Sequence, residues 1–122
     1  LNPRSVGIFH YLYKLRKIIK DEKVTIIHSH MSIDAIFVYF ATLGLSNIRY
    51  FLTNHGYIPS RFRSALVYLS IRLVNVNIFV SQNAFNWYKE KKMFPGNMRY
   101  IILYNGVDIN RLRVPPANLR KS

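Results

Sequence analysis

Val24-Thr25-Ile26-Ile27-His28-Ser29-His30 is an apolar, β-branched run that breaks abruptly into a polar turn carrying two histidines. Short apolar runs bounded by turn signals read as buried strands of a parallel sheet covered on both faces. The arrangement recurs at Tyr50-Phe51-Leu52-Thr53-Asn54-His55-Gly56, at Asn77-Ile78-Phe79-Val80-Ser81-Gln82 and at Tyr100-Ile101-Ile102-Leu103-Tyr104-Asn105-Gly106. Ligands in open α/β sheets gather outside the carboxyl ends of the strands. The small and polar residues that end the four runs are therefore expected along one edge of one sheet.

The segments between the runs read as helices. From Arg4 to Asp21, residues Ile8, Leu12, Leu15 and Ile19 fall on one face, with Lys14, Lys17 and Lys20 on another. Ser32 is the expected N-cap of a buried helix over Ile33 to Leu45, closed by Gly44 or by Ser46-Asn47. Pro59 and Ser60 announce a helix from Arg61 to Val74 with a core stripe of Phe62, Leu66, Leu69 and Leu73. A last helix, Gln82 to about Lys92, carries Phe85 and Tyr88 and ends in lysines, which suit the negative end of its dipole. The order α-β-α-β-α-β-α-β predicts an α/β fold: a Rossmann-like parallel sheet flanked by helices, with right-handed crossovers. Residues 1–110 form this domain, and residues 111–122 read as a basic linker or tail. The first helix lacks a preceding strand, so the sheet is either small or has opening strands upstream of Leu1.

Composition narrows the classes. The chain has 122 residues, half of them hydrophobic, so it is no disordered polypeptide. It has no cysteine, which excludes disulfides and thiolate metal sites. The stretch Ile33 to Leu45, interrupted by Asp34 and Thr42, is too short to span a membrane. Eighteen Lys plus Arg against five Asp plus Glu give a net charge of +13. Such a balance suits an anionic partner, or a solvated surface with no partner at all.

His28 and His30 share a strand face, but two imidazoles are too few for zinc, which takes three or four ligands. No metal site is expected, and His28 reads as a buried strand residue. His30 and His55 end neighbouring strands, where an imidazole donates to a phosphate or hydroxyl, or else caps a helix. Gly56 would let a ligand approach the backbone. Neither GxGxxG nor GxxxxGK[ST] occurs, and GxSxG is absent too. The carboxylates are Asp21, Glu22, Asp34, Glu90 and Asp108, and they form no evident acid–base pair. Asp108 reads as a turn residue or N-cap.

Taken in order, Ile-Ile-His-Ser-His (26–30), Thr-Asn-His-Gly (53–56), Phe-Val-Ser (79–81) and Tyr-Asn-Gly-Val-Asp (104–108) resemble the N-terminal domain of family-4 GT-B glycosyltransferases. The resemblance spans roughly Leu12 to Leu112. His-Ser-His followed by Asp34-Ala35 and Gly44-Leu45 looks similar to enzymes that glycosylate phosphatidylinositol. The resemblance implies an incomplete GT-B N-terminal domain, part of a two-domain transferase of hexosyltransferase type. Such an enzyme moves a sugar from a nucleotide sugar, the co-substrate, to a glycan or lipid-linked acceptor, commonly with retention and without metal or other cofactor. It implies His55 as catalytic and His30, Gly56, Ser81, Asn105 and Gly106 as substrate-binding. The family's opening glycine-rich strand and its C-terminal donor-binding domain lie outside these 122 residues, so the segment alone is expected to be inactive.

The expected location is cytoplasmic, with peripheral contact at the cytoplasmic membrane face. There Lys14, Lys17, Lys20, Arg61 and Arg63 would meet anionic headgroups. The alternatives from other classes are a noncatalytic basic module binding nucleic acid through phosphates and stacked aromatics, and a regulatory subunit that kept only the fold.

Overall fold

A computed structural model describes residues 7–56 and 61–106, the side chains of 61 and 62 excepted. The elements run α1 (Ile8–Asp21), β1 (Ile26–Ser29), α2 (Ser32–Ala41), β2 (Arg49–Asn54), α3 (Arg61–Leu73), β3 (Val76–Phe79), α4 (Gln82–Glu90) and β4 (Tyr100–Ile102). The expected alternation is present throughout, and β2 covers the whole expected Arg49–Asn54 run. Residues 4–6, Pro59, Ser60, Asp108 and the linker over 111–122 lie outside the described residues.

The four strands are parallel, in the order β1-β2-β3-β4. This is the α/β, Rossmann-like arrangement that the alternation predicts. Each strand is hydrogen-bonded to its neighbour in sequence, so the sheet grows in one direction. Right-handed crossovers then lay successive helices on the same face. Tyr50, Leu52, Asn54, Asn77 and Phe79 point toward those helices. Tyr50 Oη donates to Thr42 Oγ1 at the end of α2 (2.6 Å), and Asn77 Nδ2 donates to the Ile71 carbonyl of α3 (3.1 Å). The opposite face carries Ile26, His28, Phe51, Thr53, Val76, Ile78 and Ile101. Ile26 and Ile101 are at least half exposed there. The expected cover on both faces is thus corrected to cover on one, among the described residues.

The core lies between β3, α3 and α4. Phe79 is fully buried and meets Phe85, Tyr88 and Phe94 edge-on at 5.4–5.5 Å, and Val67, Ile71 and Met93 close around it. These aromatics are packed rather than free to stack on bases. The stripe of α3 needs correction: Val67, Ser70 and Ile71 are buried, whereas Leu69 is 40% exposed. The helix is turned by about one residue relative to the leucines, because Phe79 takes Ile71 and Val67 as neighbours. Ser70 tolerates burial by donating to the Val67 carbonyl (2.9 Å).

Caps differ from expectation in two places. Met31, not Ser32, is the N-cap of α2, with extended backbone and no side-chain bond. α2 ends at Ala41 with Thr42 as its C-cap, short of the expected Leu45, and Gly44 (φ +76°) and Asn47 (φ +65°) take the left-handed conformation in the turn beyond it. The last strand is shorter than expected, its paired residues ending at Ile102. The chain nevertheless continues alongside β3, with Leu103 N–H donating to the Phe79 carbonyl (2.8 Å).

Candidate functional site

β1 and β2 lie side by side with His28 opposite Phe51 and Ser29 opposite Leu52. Two residues further on, their ends carry His30 and His55. His30 Nδ1 and His55 Nε2 share a hydrogen bond at 3.2 Å, and the rings stack with centroids 5.5 Å apart. One of these nitrogens must be protonated and the other a bare acceptor. The His30 ring also lies 4.4 Å from that of His28. His28 Nε2 bonds Thr53 Oγ1 at 2.7 Å. Three imidazoles therefore run across the ends of two strands, with Thr53 anchoring the innermost.

His28 is exposed, which corrects its reading as a buried residue. β1 lies at the edge of the described sheet, and its second face has no layer above it. Desolvation of the ring lowers the His28 pKa below the ordinary value, and the charges of His30 and His55 lower it further. His30 does not cap α2, whose N-cap is Met31, without a side-chain bond. Among the described residues no group of three or more His, Cys, Asp or Glu is arranged to hold a metal ion.

The pair opens on a cleft of about 600 Å³. Its wall includes Thr53, Asn54, His55 and Gly56 from the end of β2, and Ser32 and Ile33 from the first turn of α2. Arg63 and Leu66 of α3 and Tyr88 of α4 complete it. Among the described residues no carboxylate lines it. A guanidinium, imidazoles and the N-terminus of α2, with its free backbone N–H groups, give the cleft a positive bias suited to an anionic ligand.

The floor is held by a ladder of buried amides: Asn54 Nδ2 donates to Asn77 Oδ1 (3.2 Å), and Asn77 in turn bonds Ile71. Tyr88 Oη donates to the Gly56 carbonyl (2.9 Å), fastening the loop after His55 to α4. Burial pushes the Tyr88 phenol up to about 12, so it stays a donor at any ordinary pH. Among the described residues nothing lies within 4 Å of where a Cβ on Gly56 would stand, which leaves room for a ligand at the backbone.

The expected site residues do not all meet. His30, His55 and Gly56 share the cleft wall. Ser81 does not line it; its hydroxyl caps α4, accepting from Ala84 N–H (3.1 Å). Asn105 and Gly106 are exposed beyond β4, outside the cleft lining, with Asn105 N–H reaching the Val80 carbonyl (3.4 Å). Thr53, Asn54 and Tyr88 are among the lining residues that sequence reasoning did not assign to a site, and Arg63, expected at a membrane surface, also lines the cleft. Thr53 was legible as a same-face neighbour of His28 once the two strands were paired in register. Tyr88 gave only the signal of an apolar helix stripe.

No curated protein and no solved structure matched the chain. The model of Glycosyltransferase Family 4 matches residues 1–111, nearly the full length. The match concerns the family as a whole and does not reach the resemblance to phosphatidylinositol-glycosylating enzymes. The parallel sheet and its helices accord with an N-terminal GT-B domain. The chain belongs to Glycosyltransferase Family 4.

Proposed function

We propose that these residues form the acceptor side of a sugar-transfer cleft, closed by a donor-binding domain that holds a nucleotide sugar. The observation that supports this reading most is the His30–His55 pair, set at neighbouring strand ends in a cleft that Arg63 also lines. The reaction breaks the bond between the anomeric carbon and the diphosphate oxygen, forms a bond to an acceptor oxygen and passes the acceptor's proton to the departing phosphate. Charge grows on the departing phosphate oxygens, and preorganised donors stabilise it. His55 donates to the transferring group or its phosphate, and His30 fixes the ring of His55 through their shared hydrogen bond. The acceptor is a glycan or a lipid-linked molecule.

Reading the coding sequence on both sides of the segment tests the two-domain arrangement. A glycine-rich strand upstream and a donor domain with paired glutamates downstream are expected; stop codons at both ends would overturn it. In the full reading frame, His55→Ala should lower kcat by about 100-fold or more, the scale of a positioned acid–base or hydrogen-bonding group. Its thermal unfolding should be unchanged. Wild-type turnover in that variant would remove His55 from the chemistry.

A further inference from the structure

We propose that the outer strip of α1 docks the domain on an anionic lipid bilayer. Phe9 and Tyr13 enter the headgroup region, and Lys17 and Lys20 lie against lipid phosphates. α1 turns Ile19, with the half-buried Leu12 and Leu15, toward the body of the domain. Tyr11 meets Phe37 of α2 edge-on (5.5 Å), and Arg16 donates to the Ala41 and Leu43 carbonyls (2.9 and 2.8 Å). At 3.6 residues per turn, Phe9, Tyr13, Lys17 and Lys20 fall within about 80° of arc on the exposed side of α1, bordered on one edge by Arg16. Phe9 is 85% exposed and Tyr13 66%. Two aromatic rings adjoining lysines on an exposed helix face form the composition of an interfacial helix.

The choice of a bilayer rests on charge and shape. The chain carries +13, and the carboxylate within α1 is Asp21, at its last position. Each lysine near an anionic leaflet adds attraction, while burial of the rings supplies a part that salt does not screen. A nucleic acid would want a groove that follows its backbone. Phe9 and Tyr13 stand on the outside of a helix and do not line the histidine cleft, and the groove that Lys20 borders, beside Ile19 and Lys23, lies at the other end of α1 from Phe9.

The contacts Tyr11–Phe37 and Arg16–Ala41 show that α1 and α2 run in the same direction. Ser32 and Ile33, which open α2, line the histidine cleft. Phe9 therefore lies at the cleft end of the sheet, so docking through it brings the cleft toward an acceptor carried in that surface. This last consequence rests on the proposed function, whereas the docking itself does not.

Flotation of the chain with vesicles of phosphatidylcholine, with and without phosphatidylglycerol, tests the proposal at low and at physiological salt. Binding to the anionic vesicles alone is expected. The pair Phe9→Ala and Tyr13→Ala, which leaves the charge intact, should weaken it about tenfold or more, as should Lys17→Gln with Lys20→Gln. The charge-matched pair Lys89→Gln and Lys92→Gln on the far side of the chain should change it less than about twofold. Phe9→Trp should add a fluorescence blue shift on anionic vesicles beyond that of Trp87, a gain that no folding defect imitates. Equal binding to neutral vesicles overturns the proposal. So does wild-type affinity of the aromatic pair, or an equal loss from the Lys89 and Lys92 pair. Binding of single-stranded RNA that depends on Phe9 and Tyr13, without vesicle binding, would assign the strip to nucleic acid instead.

Discussion

His28 bonds Thr53 across the β1–β2 pair, and that contact holds the first of three imidazoles beneath the His30–His55 hydrogen bond. Because His28 is held neutral more strongly than a free imidazole, whose reference value is 6.5, the cluster links folding to pH. The folded pKa lies below the unfolded one, so the unfolded chain takes up protons first as the pH falls. Stability is therefore full above about 6.5 and declines as the pH drops through the folded value. His28→Gln can keep a hydrogen bond to Thr53 without titrating, and it should flatten the acid side of a plot of urea midpoint against pH. An unchanged slope would remove His28 as a cause. In an NMR titration of the imidazoles, His55→Ala should move the His28 midpoint upward by deleting one of the charges that depress it.

Tyr88→Phe keeps the ring in the Phe79 cluster and deletes only the donor to Gly56. The expected loss of stability is about 0.5–1.5 kcal/mol, that of one hydrogen bond. Amide exchange at residues 55 and 56 should rise by more than exchange in β3, since α4 no longer fastens that loop. A uniform rise would show that the phenol matters only to the global fold. Tyr88→Ala should cost about 3–5 kcal/mol, because it also opens a cavity beside Phe79.

Asn77 is 1% exposed and both accepts from Asn54 and donates to Ile71. Asn77→Ala leaves a buried amide and a buried carbonyl without that partner, at about 1–3 kcal/mol for each group orphaned. Asn77→Ser should recover part of this if water fills the space. Urea midpoints check both values. A loss under about 0.5 kcal/mol would mean that the ladder exchanges freely with solvent.

The strands were legible in the sequence because each ends where β-branched residues give way to Ser, His or Asn. The periods of α1 and α4 were legible for the same local reason. α3 was not, since its sequence is apolar on several sides. Leu69 and Ile71 are equal candidates for burial until Phe79 selects one. The cleft was half legible. His30 and His55 stood out as strand-end histidines, but their direct bond depends on the register of β1 against β2. The exposure of His28 follows from its edge position, which no local pattern encodes. Ser81 marked a strand end correctly, yet its hydroxyl is taken by the first turn of α4.

Arg16 bonds two carbonyls at the end of α2, and Gly44 turns the chain away from them with φ +76°. A helix leaves its last four carbonyls without intrahelical donors, and a cation there also meets the negative end of the dipole. Arg16→Met keeps most of the aliphatic stem over α2 but removes both bonds. It should destabilise the fold by about 1–3 kcal/mol, the scale of hydrogen bonds made by a charged group. Arg16→Lys should recover only part of that, because both bonds come from the one nitrogen Nη1 and the shorter lysine stem does not carry its ammonium to that point without strain. Gly44→Ala has open space around its new methyl, so any loss must come from the backbone; about 1–2 kcal/mol is expected for a left-handed residue. Combining Arg16→Met with Gly44→Ala should lose less than the sum of the two, since both act on one helix end. Strict additivity in denaturant midpoints would show that the guanidinium and the turn hold α2 independently.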